Sequence, residues 1–139
     1  TARPRTNWEL EMKRLAFVVA ALLLVSGPVF AGGLVGTWLT APAANSATGL
    51  VVMQPRGGAL CGTIVRAFDK AGNPIITPNV GKRILWDVRA QGNAGEGQVY
   101  VPAMRLVFPV SLTANGDRLN LRACNALGLC RTQVWKRVN

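Results

Sequence analysis

Histidine is absent from the whole chain. With it go the commonest general base and the commonest neutral metal ligand, so Ser-His-Asp sites, Cys-His sites and His-rich zinc sites are excluded by composition. Acids are scarce as well: six Asp and Glu stand against sixteen Lys and Arg in 139 residues. Among the four carboxylates after residue 31 no two fall at a spacing that pairs them for acid-base work, and neither a glycine-rich phosphate loop nor a metal-ligand spacing occurs. Catalytic residues, cofactors and metals are therefore not expected, and binding is the chemistry left open. Long apolar runs are also lacking. The longest, from Leu15 to Val25, has 11 residues, well short of the ~20 that a spanning helix needs.

That short run is nevertheless informative. Lys13 and Arg14 precede it, Ser26, Gly27 and Pro28 break it, and Val29-Phe30-Ala31 puts small side chains before a cut. This is the grammar of a secretory signal, a charged segment followed by an N-terminal signal helix. Residues 1–31 read as an upstream extension plus signal peptide, and residues 32–139 as one mature domain starting at Gly32. No transmembrane anchor is expected after processing, and the compartment is periplasmic or secreted. No cysteine lies near the cut to accept a lipid.

In the mature segment Asp69, Asp87, Glu96 and Asp117 face twelve Lys and Arg. An exported basic protein meets anionic envelope surfaces before nucleic acid, so an anionic envelope partner is open and nucleic acid is not expected. The basic residues form no run, which is equally the pattern of a solvated surface.

Gly, Pro and Asn punctuate the mature segment, and no window of helical length survives between them. Eight strands are expected over 37–41, 49–54, 59–67, 83–90, 98–101, 106–112, 118–123 and 131–137. Period two is clearest in Leu106, Phe108, Val110 and Leu112, in Ile84, Trp86 and Val88, and in Leu119, Leu121 and Ala123. Asn115-Gly116 reads as a hairpin turn, residues 91–97 as a second Gly/Asn-rich turn, and 68–82 as a long connection without periodicity. Short antiparallel strands with no helix to cover their edges are best accommodated by closing the sheet on itself. The expected fold is all-β: a small, eight-stranded, up-and-down β-barrel whose interior is filled or holds one small ligand.

Gly36-Thr37-Trp38, Leu60-Cys61-Gly62-Thr63-Ile64, Val99-Tyr100-Val101-Pro102 and the segment from Cys130 to Arg137 resemble the exported bacterial family called domain of unknown function 2147. The resemblance covers residues 34–138 and implies a lipocalin-like β-barrel, without supplying a reaction. The Gly-x-Trp opening with an Arg near the last strand is also similar to lipocalins, in which the Trp closes one barrel end and the Arg stacks across it. That implies structural roles for Trp38, Trp135 and either Arg137 or Arg131. The chain departs from the family pattern where a Cys is usual before Leu60, and at Val101 and Phe108, where an acid and a Tyr are usual. Contacts built on those side chains are not carried over.

Cys124 and Cys130 bracket a short segment containing Gly128 between the last two strands, so they are expected to face each other and form a disulfide. Cys61, beside Leu60, is expected to be a buried, inert thiol. Two functions of different class stay open. In the first, the barrel binds a small apolar or amphipathic, lipid-like ligand. Its apolar part would lie against Ile84, Trp86, Val88, Tyr100 and Phe108, and its head group would meet Lys82, Arg83 or Arg105. In the second, the barrel is a basic envelope-associated interaction or structural module with no internal ligand.

Overall fold

Alternating side chains and glycine turns settle into nine strands in the structure, a computed structural model that describes residues 33–139. The expected leader and the start at Gly32 lie outside the described residues. The strands are β1 (Gly36–Leu39), β2 (Thr48–Arg56), β3 (Ala59–Phe68), β4 (Pro74–Ile75), β5 (Arg83–Gln91), β6 (Ala94–Val101), β7 (Leu106–Asn115), β8 (Arg118–Cys124) and β9 (Cys130–Arg137). No helix occurs among the described residues.

All pairings are antiparallel, and the order β2-β1-β9-β8-β7-β6-β5-β3 is closed by a further β2–β3 ladder. The result is an eight-stranded up-and-down barrel, as expected, because closure leaves no long sheet edge unpaired. The two-residue β4 is an addition: it pairs only with Ala67 and Phe68 of β3 and lies inside the connection read as unstructured. Pro74 limits it, since proline cannot donate to a ladder.

Chain direction separates two ends. The tight turns at 57–58, 92–93 and 116–117 share one end with Gly33–Val35 and the C-terminus. The longer connections 40–47, 69–82, 102–105 and 125–129 share the other. At 57–58 both central residues are glycines with positive φ, the geometry of a type I′ hairpin. The Asn-Gly signal is displaced by one residue: Asn115 pairs with Arg118, so Gly116 and Asp117 are the central residues, and Gly116 has φ 61°.

Two further expectations are corrected. First, β6 starts at Ala94, because Gly95 and Gly97 are strand residues and not part of a turn. A Cβ on Gly97 would sit 2.8 Å from the Trp86 carbonyl oxygen and 2.8 Å from Val88 Cγ2, so only glycine fits where β5 presses in. Second, Ile84, Trp86 and Val88 do not share one face. A bulge between Trp86 and Arg89, with Asp87 at φ 51°, adds a residue and breaks the alternation. Leu85 and Val88 are the fully buried residues of β5. Trp86 pairs with Gln98, which pairs in turn with Pro109, on the face opposite to Val99 and Phe108. Ile84 is buried at a second irregularity between β3 and β5.

The core runs from Leu34 and Trp38 at the tight-turn end to Ile84, Leu85 and Val99 in the strand halves nearer the longer connections. Leu34, Trp38, Val51, Met53, Leu85, Val88, Leu112 and Leu119 are all at most 1% exposed. Each such side chain contributes about 1.5–3 kcal/mol by leaving water.

Candidate functional site

The tight-turn end is sealed by one arginine. Arg137 donates from Nη2 to the Gly33 carbonyl at 2.6 Å, from Nη1 to the Val35 carbonyl at 2.9 Å and from Nε to the Gly116 carbonyl at 3.2 Å. Its guanidinium carbon lies 4.1 Å from the centroid of the Trp38 ring, a cation-π stack. Trp38, wholly buried, donates from Nε1 to the Leu34 carbonyl at 3.0 Å. The planar fork of arginine suits this task, since it reaches three acceptors while lying flat on an indole. Of the two expected candidates, Arg137 is therefore the plug. Arg131 pairs with Ala123 at the far end of β9. Trp135 is buried in register with Leu119 and donates from Nε1 to Gln133 Oε1 at 3.0 Å.

At the opposite end no second arginine–indole stack occurs among the described residues. Cross-strand partners share a face, so the pairs Gly95–Leu112, Gly97–Val110, Val99–Phe108 and Val101–Leu106 trace one inner row toward that mouth. Along it Leu112, Val110 and Val99 are buried, Phe108 and Val101 are half-buried, and Leu106 is exposed. On β8 and β9 the inner row runs from the pair Leu119–Trp135 through Leu121–Gln133 to Ala123–Arg131. Arg131 and Gln133 are exposed there, and Ala123 is half-buried.

The wall is also incomplete on this side. β1 pairs with β9 only through Trp38–Arg137 and Leu39–Lys136. Beyond them the Thr40 amide turns to the Gly49 carbonyl, and Pro42 has no amide to donate. The edge of β9 from Thr132 to Trp135 therefore has no β1 partner. The mouth thus combines an apolar inner wall (Phe108, Val101, Ala123) with an amide and a guanidinium, Gln133 and Arg131.

Residues 36–137 match DUF2147, described as an uncharacterized protein conserved in bacteria. The chain belongs to this family. Among solved structures, the DUF2147 barrel is similar to protein HP1028 from the human pathogen Helicobacter pylori, described as belonging to the lipocalin family. The two are 16% identical over 76% of this chain and 83% of that one, with a TM-score of 0.60, so the likeness is one of fold. Comparison with curated proteins gives no match.

Of the ligand-binding residues expected from sequence, Phe108 lies on the inner wall of the DUF2147 mouth, and Arg83 and Arg105 are exposed on its rim. Val88 is buried in the core, and Ile84 is buried beside its irregular ladder. Trp86 is on the opposite face. Tyr100 pairs with Val107, out of phase with Val99 and Phe108, and is half-buried against the core. Those four are not brought together with Phe108 as a single wall. Sequence reasoning missed Val101, Ala123, Gln133 and Arg131 as lining residues.

A wide hollow on the outer wall, lined by Asp87, Arg89, Glu96, Ser111 and Arg122, is not the candidate site. Those side chains are exposed on the sheet's solvent face and enclose nothing. Among the described residues no three His, Cys, Asp or Glu side chains gather as metal ligands. Cys124 and Cys130 form the expected disulfide at the mouth, and Cys61 is free and buried.

Proposed function

We propose that this is an exported protein of the cell envelope, periplasmic or secreted, whose open mouth binds the apolar part of a small anionic amphiphile. One observation carries the reading: half-buried Phe108, Val101 and Ala123 continue the core outward at the end away from Arg137, beside the inward row that ends in Gln133 and Arg131. An acyl chain resting on that wall would remove it from water, while Arg131 offers a carboxylate or phosphate two donors in a planar fork. The packed interior leaves the ligand the mouth alone, so a shallow site with modest affinity is the form the barrel favours.

The test uses protein purified from the exported fraction, whose N-terminal sequence is expected to open at Gly32. Titration with myristate and with lysophosphatidylglycerol, followed by Trp fluorescence, should saturate, because Trp135 is hydrogen-bonded to the lining residue Gln133. Phe108→Ala and Arg131→Gln should each weaken binding by roughly three- to tenfold. Failure of both ligands to saturate leaves the envelope-interaction module as the surviving reading.

A further inference from the structure

The open end carries a second pattern that the mouth does not use. Scattered exposed apolar side chains are ordinary on a protein surface; Val65, Val107 and Val134 on the strands and Val138 at the sealed end are of this kind, but those carried by loops gather at one end. Ile76 and Val80 project from the 69–82 connection, Met104 from the β6–β7 turn, and Leu127 and Leu129 from the β8–β9 turn. The three tight turns at the sealed end carry no exposed large apolar residue.

These side chains are held out by ordered loops. Asn125 Oδ1 accepts from the Leu127 and Leu129 amides, both at 3.0 Å, and the disulfide closes the base of that loop. Leu127 and Leu129 are left 86% and 68% exposed. The Met104 and Arg105 amides both donate to the Val101 carbonyl. Ile76 follows directly on β4, which is tied to β3, and is fully exposed. In strand order the three loops are distributed around the barrel rim, so the aliphatic tips form separate feet around one opening.

Charge at the same end is predominantly positive. Lys70, Lys82, Arg83, Arg105 and Arg131 lie on these loops or at the strand ends that carry them. Asp69 is the acid of these loops, and its carboxylate accepts from the Asn73 amide at 2.8 Å and the Asn73 side chain at 3.4 Å. Aliphatic feet ringed by cations match the interface of an anionic bilayer, where apolar tips enter the acyl boundary and Lys and Arg meet the phosphates.

We propose that the barrel docks mouth-down on an anionic phospholipid bilayer through the loop tips of Ile76, Met104, Leu127 and Leu129. The observations are separate from the ligand reading, since these tips are loop residues and do not line the inner wall.

Among the described residues every strand and core side chain lies between Leu34 and Arg137, so the segment from Gly32 to Asn139 carries all of them; a β-type circular dichroism spectrum and a cooperative melt check its folding before binding is measured. Flotation is run with vesicles of phosphatidylcholine alone and with phosphatidylcholine containing about a third phosphatidylglycerol. The protein should float with the anionic vesicles, and salt should release it. Leu127→Ser with Leu129→Ser should weaken flotation on the order of tenfold per leucine, and Lys82→Glu with Arg105→Glu should abolish the preference for phosphatidylglycerol. Val138→Ser, an exposed aliphatic at the sealed end, and Phe108→Ala should leave flotation unchanged. Equal flotation of the leucine double variant overturns the proposal, as does indifference to phosphatidylglycerol. Self-association in sedimentation that the leucine variant removes, without flotation of the parent, assigns the tips to a second copy of the chain instead. Weakened myristate binding by Phe108→Ala with flotation intact separates the two sites.

Discussion

The two ends of the barrel are built by opposite rules. At the sealed end, turns of two residues keep the strands long and in register, a wholly buried Trp38 fills the lumen, and one guanidinium satisfies three backbone carbonyls. At the open end the connections are longer, Trp135 and Phe108 are followed outward by polar or exposed residues, and the 69–82 and 125–129 loops are stabilised by side-chain caps from Asp69 and Asn125. The difference teaches where global stability and where recognition reside. Residues that hold the ring closed are concentrated at one end, so the other can expose apolar and basic groups at little cost to the fold.

Substitutions sharpen that contrast. Trp38→Ala removes a fully buried aromatic, its hydrogen bond to Leu34 and the platform for Arg137, and is expected to cost about 4 kcal/mol in chemical denaturation. A loss near that of an ordinary surface substitution would break the assignment of stability to the sealed end. Arg137→Lys keeps the charge but has no fork, so it reaches fewer of the three carbonyls. It should cost about 3 kcal/mol, read as a shifted denaturation midpoint with an unchanged slope. Smaller still is reduction of the Cys124–Cys130 disulfide at the open end. It closes a short loop and should cost about 2 kcal/mol through the unfolded chain, with the barrel still folded by near-ultraviolet circular dichroism. Unfolding on reduction alone would show that the open end carries more of the stability than its packing implies.

Much of this architecture is readable from alternation, and its failures are local. Leu106 to Leu112 and Leu119 to Ala123 keep period two without interruption, and their inner rows are the ones observed. The β5 row fails because a bulge at Asp87 needs one positive φ, which an Asp tolerates but does not announce. Gly95 and Gly97 mislead for a related reason: glycine signals both a turn and a close approach, and only the packing of Val88 decides between them. The mouth was half-legible. Alternation already places Arg131 and Gln133 on the face of Trp135, but it takes strand direction to see that they stand at the end away from Arg137. The loop tips were not legible, since Ile76 or Leu127 in a Gly-Pro-Asn loop reads the same whether tucked under or turned out.

The short β1–β9 seam has a consequence in time. The Arg137 hydrogen bond to Val35 joins positions 102 residues apart, whereas each hairpin joins near neighbours. Loop-closure entropy delays such a contact until the hairpins between have drawn the termini together. The seam and its guanidinium latch are then expected to close last during folding. Quenching of Trp38 by that latch becomes a clock for the final step, later than the formation of sheet structure itself.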